Sequence, residues 1–186
     1  MLLIEIIGEL GKVGDKVINS SPPTNIFPQI TQIVGLLNTV IGSKTIPFSF
    51  SKNKEKLKEI EKKIEVRKIY IVRVPKIIDF SIQRINWDVS KGLTTNVTYQ
   101  YILNFHYIFE IEFFDKKMEK ILKEKLKSRE IKFTPVLGSS ECLVDIYLTE
   151  GANGEVVLEK TEHIKEEDNI VILQGYLKNY IYRIVK

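Results

Sequence analysis

Three stretches of this 186-residue chain carry residue types suited to chemistry, and the chemistry is mostly that of holding phosphates and bases. The first is residues 19–28, Asn-Ser-Ser-Pro-Pro-Thr-Asn-Ile-Phe-Pro, an uncharged, proline-stiffened approach that runs straight into an apolar helix. Backbone N–H groups at a helix N-terminus have no partner within the helix, so they welcome anions such as phosphate. A plain surface connection is the alternative. The second is Trp87, set among Arg84, Asn86, Asp88 and Lys91. Large aromatics are often core residues, but these polar neighbours fit a half-exposed ring able to stack on a base. The third is the histidine pair. His106 lies between Phe105 and Tyr107 at a strand start, and His163 lies in an acidic tail.

Metal-free RNA cleavage needs a base for the 2′-hydroxyl proton and an acid for the leaving oxygen, supplied within hydrogen-bond reach of one another. No His, Lys and Tyr trio converges in the sequence. One cysteine, Cys142, excludes a disulfide framework, and with two histidines it leaves too few soft ligands for structural zinc. Neither a glycine-rich nucleotide loop nor a nucleophile elbow is present. The expectation is no cofactor, no metal and no small-molecule substrate.

Composition places the chain among globular proteins, with 44% hydrophobic and 28% charged residues. The length suits one domain. Net charge is only +4, but residues 51–100 hold 12 basic and 6 acidic side chains, against 3 and 3 in residues 1–50, 8 and 9 in 101–150 and 5 and 6 in 151–186. A local basic zone on a near-neutral body fits a phosphate-bearing partner; lysine-rich solvated faces are the plainer reading. The uncharged run 17–43 is interrupted by proline and amides and is too short in apolar residues to span a bilayer. With no basic leader before the apolar start, the sequence predicts a cytosolic protein.

The elements that must position these residues follow from periodicity. Residues 2–10 read as a strand. Ile30, Ile33, Val34, Leu37, Val40 and Ile41 recur at helical steps, with Pro28 suited to the first turn and Gly42 to the position past the end. Residues 54–64 read as a short, charged surface helix, 66–74 as a strand stopped by Pro75, and 76–104 as an irregular excursion, a hairpin leaving the body. Alternation at 105–114 gives a strand. Asp115 caps a helix over 116–129 with Met118, Ile121, Leu122 and Leu126 on its core stripe. A turn-rich loop at 134–141 precedes a strand at 142–149, and runs at 170–174 and 176–185 form a terminal hairpin. Stripped of the excursion, the order is βαββαβ: an α+β, ferredoxin-like or RNA-recognition-motif-type domain over 1–186, with a thumb hairpin at 76–104 and a C-terminal β extension at 151–186.

Gly8 and Gly11 at the end of the first strand, Ser-Ser-Pro-Pro-Thr-Asn-Ile-Phe-Pro running into a helix that ends Ile-Val-Gly-Leu-Leu-Asn-Thr-Val-Ile-Gly, and the later Thr-Pro-Val-Leu-Gly-Ser-Ser-Glu-Cys together resemble the CRISPR-associated Cas-five family of the RAMP superfamily. That family caps the 5′ end of the guide RNA in the surveillance complex Cascade. The resemblance implies a non-catalytic, cytoplasmic RNA-binding subunit of a type I complex in antiviral defence. Its partners would be the crRNA 5′ handle, the neighbouring backbone subunit and the large subunit. Carried over residue by residue, it points to Thr24, Asn25, Gln29, Thr31 and Gln32, to Arg84, Trp87 and Lys91 in the thumb, and to Gly138, Ser139 and Ser140. Where the family has an aromatic followed by arginine after the first strand, this chain has Lys12, Val13 and Lys16, and the usual basic residue near the helix start is Gln29. Lysine still serves as a point charge there. A metal-independent endoribonuclease acting on repeat RNA through His106, and a protein–protein adaptor without RNA binding, are the alternatives.

Overall fold

The computed structural model describes residues 1–13, 26–42, 50–85, 94–131, 133–138 and 142–186; for 50–53, 82–85 and 94–98 the description is of backbone alone. Strands β1 (Leu2–Gly11), β2 (Ile64–Arg73), β3 (Lys76–Ile85), β4 (Thr94–Phe113), β5 (Asp145–Thr149), β6 (Val156–Lys160), β7 (Ile170–Gln174) and β8 (Asn179–Ile184) form one antiparallel sheet. Its order is β5-β1-β4-β2-β6-β8-β7, with β3 pairing β4. Helices α1 (Ile30–Ile41), α2 (Phe50–Lys62) and α3 (Lys116–Ser128) complete the α+β fold. The stretch β5-β1-β4-β2 has the ferredoxin-like order, in which β4 is inserted between the two strands joined through α1.

The core lies between sheet and helices because alternate strand residues point to opposite faces. Leu2, Ile4 and Ile6 of β1, Ile69 and Ile71 of β2, and Phe105, Tyr107, Phe109, Ile111 and Phe113 of β4 are buried on the helix side. They meet Ile30, Ile33, Val34, Leu36, Leu37 and Val40 of α1 and Met118, Leu122 and Leu126 of α3. Asp115 caps α3 through its side chain, accepting from the backbone N–H groups of Lys117 and Met118. Gly42 ends α1 in the left-handed conformation, φ 65°. Gln29, not Pro28, is the residue that caps the start of α1; Pro28 sits one position outside.

The excursion, expected as an irregular hairpin, is a regular ladder. Residues 76–85 pair continuously with 94–103, from Lys76↔Leu103 to Ile85↔Thr94. This ladder prolongs the β2–β4 ladder, so β4 is a single 20-residue strand, double the length that the alternation at 105–114 gives. The alternation stops being legible because its phase flips at Asn104, whose φ of 54° turns the strand over. Phe105 and Ile102, three apart, thereby both become buried. Two further shifts sit in β2, between Val66 and Lys68 and between Ile71 and Arg73.

Three other boundaries move. The fourth ferredoxin strand starts at Asp145, because Cys142 to Val144 belong to a small return in which Leu137 N–H donates to the Cys142 carbonyl at 2.9 Å. Helix α2 is not merely a surface helix, since Ile60 and Glu61 are buried. The terminal β7–β8 pair is joined to the body by β6, a strand between Gly154 and Thr161 that the glycines at 151 and 154 obscure in the sequence.

Candidate nucleic-acid interface

Three of the described candidate residues, Lys12, Gln32 and Gly138, meet at the end of β1. Gly138, at φ +94°, packs so closely on the Lys12 carbonyl that a Cβ there would lie 1.9 Å from the oxygen. Only glycine serves. Beside it, Lys12 N–H donates to the Leu137 carbonyl at 2.9 Å, and the Gln32 side-chain amide donates to the Lys12 carbonyl at 2.9 Å. The first turn of α1 and the 134–144 loop therefore hold the Lys12 backbone from two sides. Its ammonium reaches across to the base of the thumb, 4.4 Å from the centre of the Tyr99 ring and 5.8 Å from that of Tyr101.

The thumb supplies rings as well as reach. Phe80, opposite Tyr99 in the ladder and 55% exposed, meets Tyr101 edge-on with centroids 6.4 Å apart. Register places Ile78, Phe80, Tyr99 and Tyr101 on one face of the hairpin, with Lys12 over it. Flat rings with a cation beside them can stack a base and balance its phosphate. These tyrosines are absent from the sequence-derived site. Their signal was the same-face spacing Tyr-Gln-Tyr at 99–101, hidden by the poor apolar alternation of the run around it.

The other candidates divide. Thr31 lies half-buried on the first turn of α1. Gln29 is 5% exposed, and its Oε1 accepts from Gln174 N–H of β7 at 2.6 Å. Its own N–H donates to Gln32 Oε1 at 3.0 Å. So Gln29 faces the body and ties α1 to the C-terminal strands, while Gln32 serves both the helix cap and Lys12. Arg84 is on β3, where backbone alone is described. Lys16, Thr24, Asn25, Trp87, Lys91, Ser139 and Ser140 lie outside the described residues. Ile26, the last step of the approach, is anchored by the buried Tyr107, whose hydroxyl donates to its carbonyl at 2.7 Å. Burial pushes that phenol above its ordinary value.

The open face of the sheet has a different character. Arg67 pairs with Glu65 at 2.7 Å and with Glu112 at 2.6 Å. Glu159 takes Arg183 at 2.7 Å and Lys68 at 3.2 Å, and these two cations hold its carboxyl below the usual range. Lys160 pairs with Glu65, and the Tyr70 hydroxyl donates to Glu110 at 2.9 Å. His106 Nε2 lies 2.5 Å from Glu5 Oε1. Among the described residues, this lattice pairs its cations with its own carboxylates. Among the described residues, no group of three or more His, Cys, Asp or Glu side chains could hold a metal ion.

No family model matches the sequence, and no curated protein matches it. Solved structures do. A chain of a CRISPR RNA-guided surveillance complex superposes with a TM-score of 0.60 at 11% identity, over 98% of this chain and 87% of its own. The chain has the fold of CRISPR-complex proteins. A Cas protein matches at TM-score 0.58 and 14% identity, over 98% and 91% of the two chains. A chain of a Type III-B Cmr-β complex, bound to cognate target RNA and AMPPnP, matches at 0.54 and 8%, over 98% and 85%. At such identities the likeness supports the ferredoxin-like α+β fold alone.

Proposed function

We propose that this chain is a non-catalytic RNA-binding subunit of a type I CRISPR surveillance complex, capping the 5′ handle of the crRNA and docking onto the backbone and large subunits. The observation that carries the reading is the meeting of Lys12, Gln32, Gly138 and the thumb tyrosines at one point, where the hairpin leaves the body. A strand of RNA passing there would lay a base on Tyr99 or Tyr101 and a phosphate against Lys12. The shared fold with proteins of CRISPR assemblies supports the same reading.

Titration of the full chain with labelled repeat RNA tests it. Stacking on an aromatic ring contributes about 1–3 kcal/mol per base, so Tyr99→Ala should weaken binding about 10-fold and Lys12→Glu at least as much. Substituting Arg84, Trp87 and Lys91 together by Ala should also reduce capture; full retention of affinity would remove the thumb from the account. A second reading, a metal-independent endoribonuclease, draws on the His106–Glu5 contact, in which a carboxylate could orient a general base. It predicts repeat cleavage in EDTA that His106→Ala abolishes.

A further inference from the structure

A groove of about 830 Å³ opens at the root of the thumb, between the end of β1, the kink of β4 and the 134–144 loop. Ile7, Leu10, Pro135, Leu143 and Val144 supply its apolar lining. Two of these are held out to solvent, Ile7 at 40% and Leu143 at 58% exposure. Around them stand Glu9, Asp145 and Arg73, all exposed and without an ion-pair partner among the described residues. That contrasts with the neighbouring sheet face, where acids and bases neutralise one another. The β1–β4 ladder also passes from Gly8↔Phe105 to Leu10↔Leu103 without pairing Glu9 to Asn104, the residue at φ 54°.

An apolar centre with an unpaired polar rim is the anatomy of a protein interface. The two carboxylates, Glu9 and Asp145, repel phosphate, so the groove is set against nucleic acid although Lys12 lies three residues from Glu9. We infer that this groove docks a segment of a partner protein whose apolar side chains cover Ile7 and Leu143, with a basic residue toward Glu9 and Asp145 and an acidic one toward Arg73. The inference rests on the reading of the chain as a subunit of a ribonucleoprotein assembly, and it places the protein partner beside the RNA rather than on the lysine-rich helices.

Co-expression of the full chain with the proteins encoded beside it, followed by affinity purification and quantification of the co-purified subunits, is the test. Leu143→Asp and Asp145→Lys are each expected to lower retention of one defined subunit at least 10-fold, while the exposed control Lys123→Glu leaves it unchanged. Repeat-RNA affinity of the isolated variants should stay within twofold of the parent, which also reports that they fold. Unchanged retention in both variants, no co-purifying subunit, loss of RNA affinity in Leu143→Asp, or a groove-dependent dimer of this chain would each overturn the inference. If the parent fails to bind RNA yet loses its partner in both variants, the groove assignment stands and the RNA reading falls.

Discussion

Gly138 and Gln29 show how single residues place the candidate site. Gly138 permits the contact with the Lys12 carbonyl that no other side chain allows. Gly138→Ala must move the loop away or abandon the left-handed conformation, at a cost of about 1–3 kcal/mol from the backbone alone. Its expected signature is a loss of RNA affinity larger than the fall in thermal stability would produce. Gln29 acts from inside. Gln29→Leu removes the acceptor of the part-buried Gln174 N–H, and losing a hydrogen bond of this kind costs about 0.5–1.5 kcal/mol. Urea denaturation should report that loss as a lower midpoint at unchanged slope. The sequence placed Gln29 correctly at the start of α1 but not its direction. A glutamine before a helix looks like a polar contact to solvent, and only the later approach of β7 turns it inward.

At the scale of elements, the C-terminal strands act as a brace for the helices. Glu61 of α2, 2% exposed, accepts from the backbone N–H groups of Tyr176 at 2.6 Å and Leu177 at 3.2 Å and from the Tyr180 hydroxyl at 2.8 Å. Hydrogen bonds to a charged acceptor are worth roughly 1.5–3 kcal/mol each when buried, so removing Glu61 releases the β7–β8 turn as a unit. Glu61→Ala should raise amide exchange over residues 170–182 and leave the thumb unaffected. Helices α1 and α3 were legible to within a few residues because their apolar periods are unbroken, and strands β1, β2 and β5 because their runs of branched residues are dense, although two register shifts interrupt the alternation of β2. The thumb ladder was not, since Asn104 reverses the alternation halfway along β4, and β6 was not, since its pairing to β2 and β8 is long-range. Of the site, the glycine loop and the first turn of α1 were readable, whereas the tyrosines facing Lys12 follow from a register that no local pattern encodes.

Across the whole molecule, charge and burial set the pH response. Burial raises the phenols of Tyr107, Tyr176, Tyr180 and Tyr182 above the ordinary 10, and burial with the Glu110 carboxylate pushes Tyr70 up to about 12. A raised phenol favours the protonated, folded state, so this contribution is complete below about pH 10 and is lost as pH rises toward 12. Thermal midpoints should therefore fall steeply above pH 10, with tyrosinate absorbance rising as the chain unfolds. The distribution of function follows the same asymmetry. The open sheet face is neutralised by its own ion pairs, the thumb root joins rings to a lysine, and the groove beside it carries carboxylates with no ion-pair partner among the described residues. On the proposed reading, the nucleic-acid contact at Lys12 and the protein contact at Glu9 lie on either side of the end of β1.

The central claim is that the chain holds RNA at the thumb root without cutting it. The most direct measurement is incubation of the full chain with labelled repeat RNA in EDTA at two salt concentrations, reading mobility shift and product length together. The account predicts a salt-sensitive shift at intact length that Lys12→Glu and Tyr99→Ala each weaken about 10-fold or more. Discrete products that disappear in His106→Ala, or no salt-sensitive affinity at all, would contradict it.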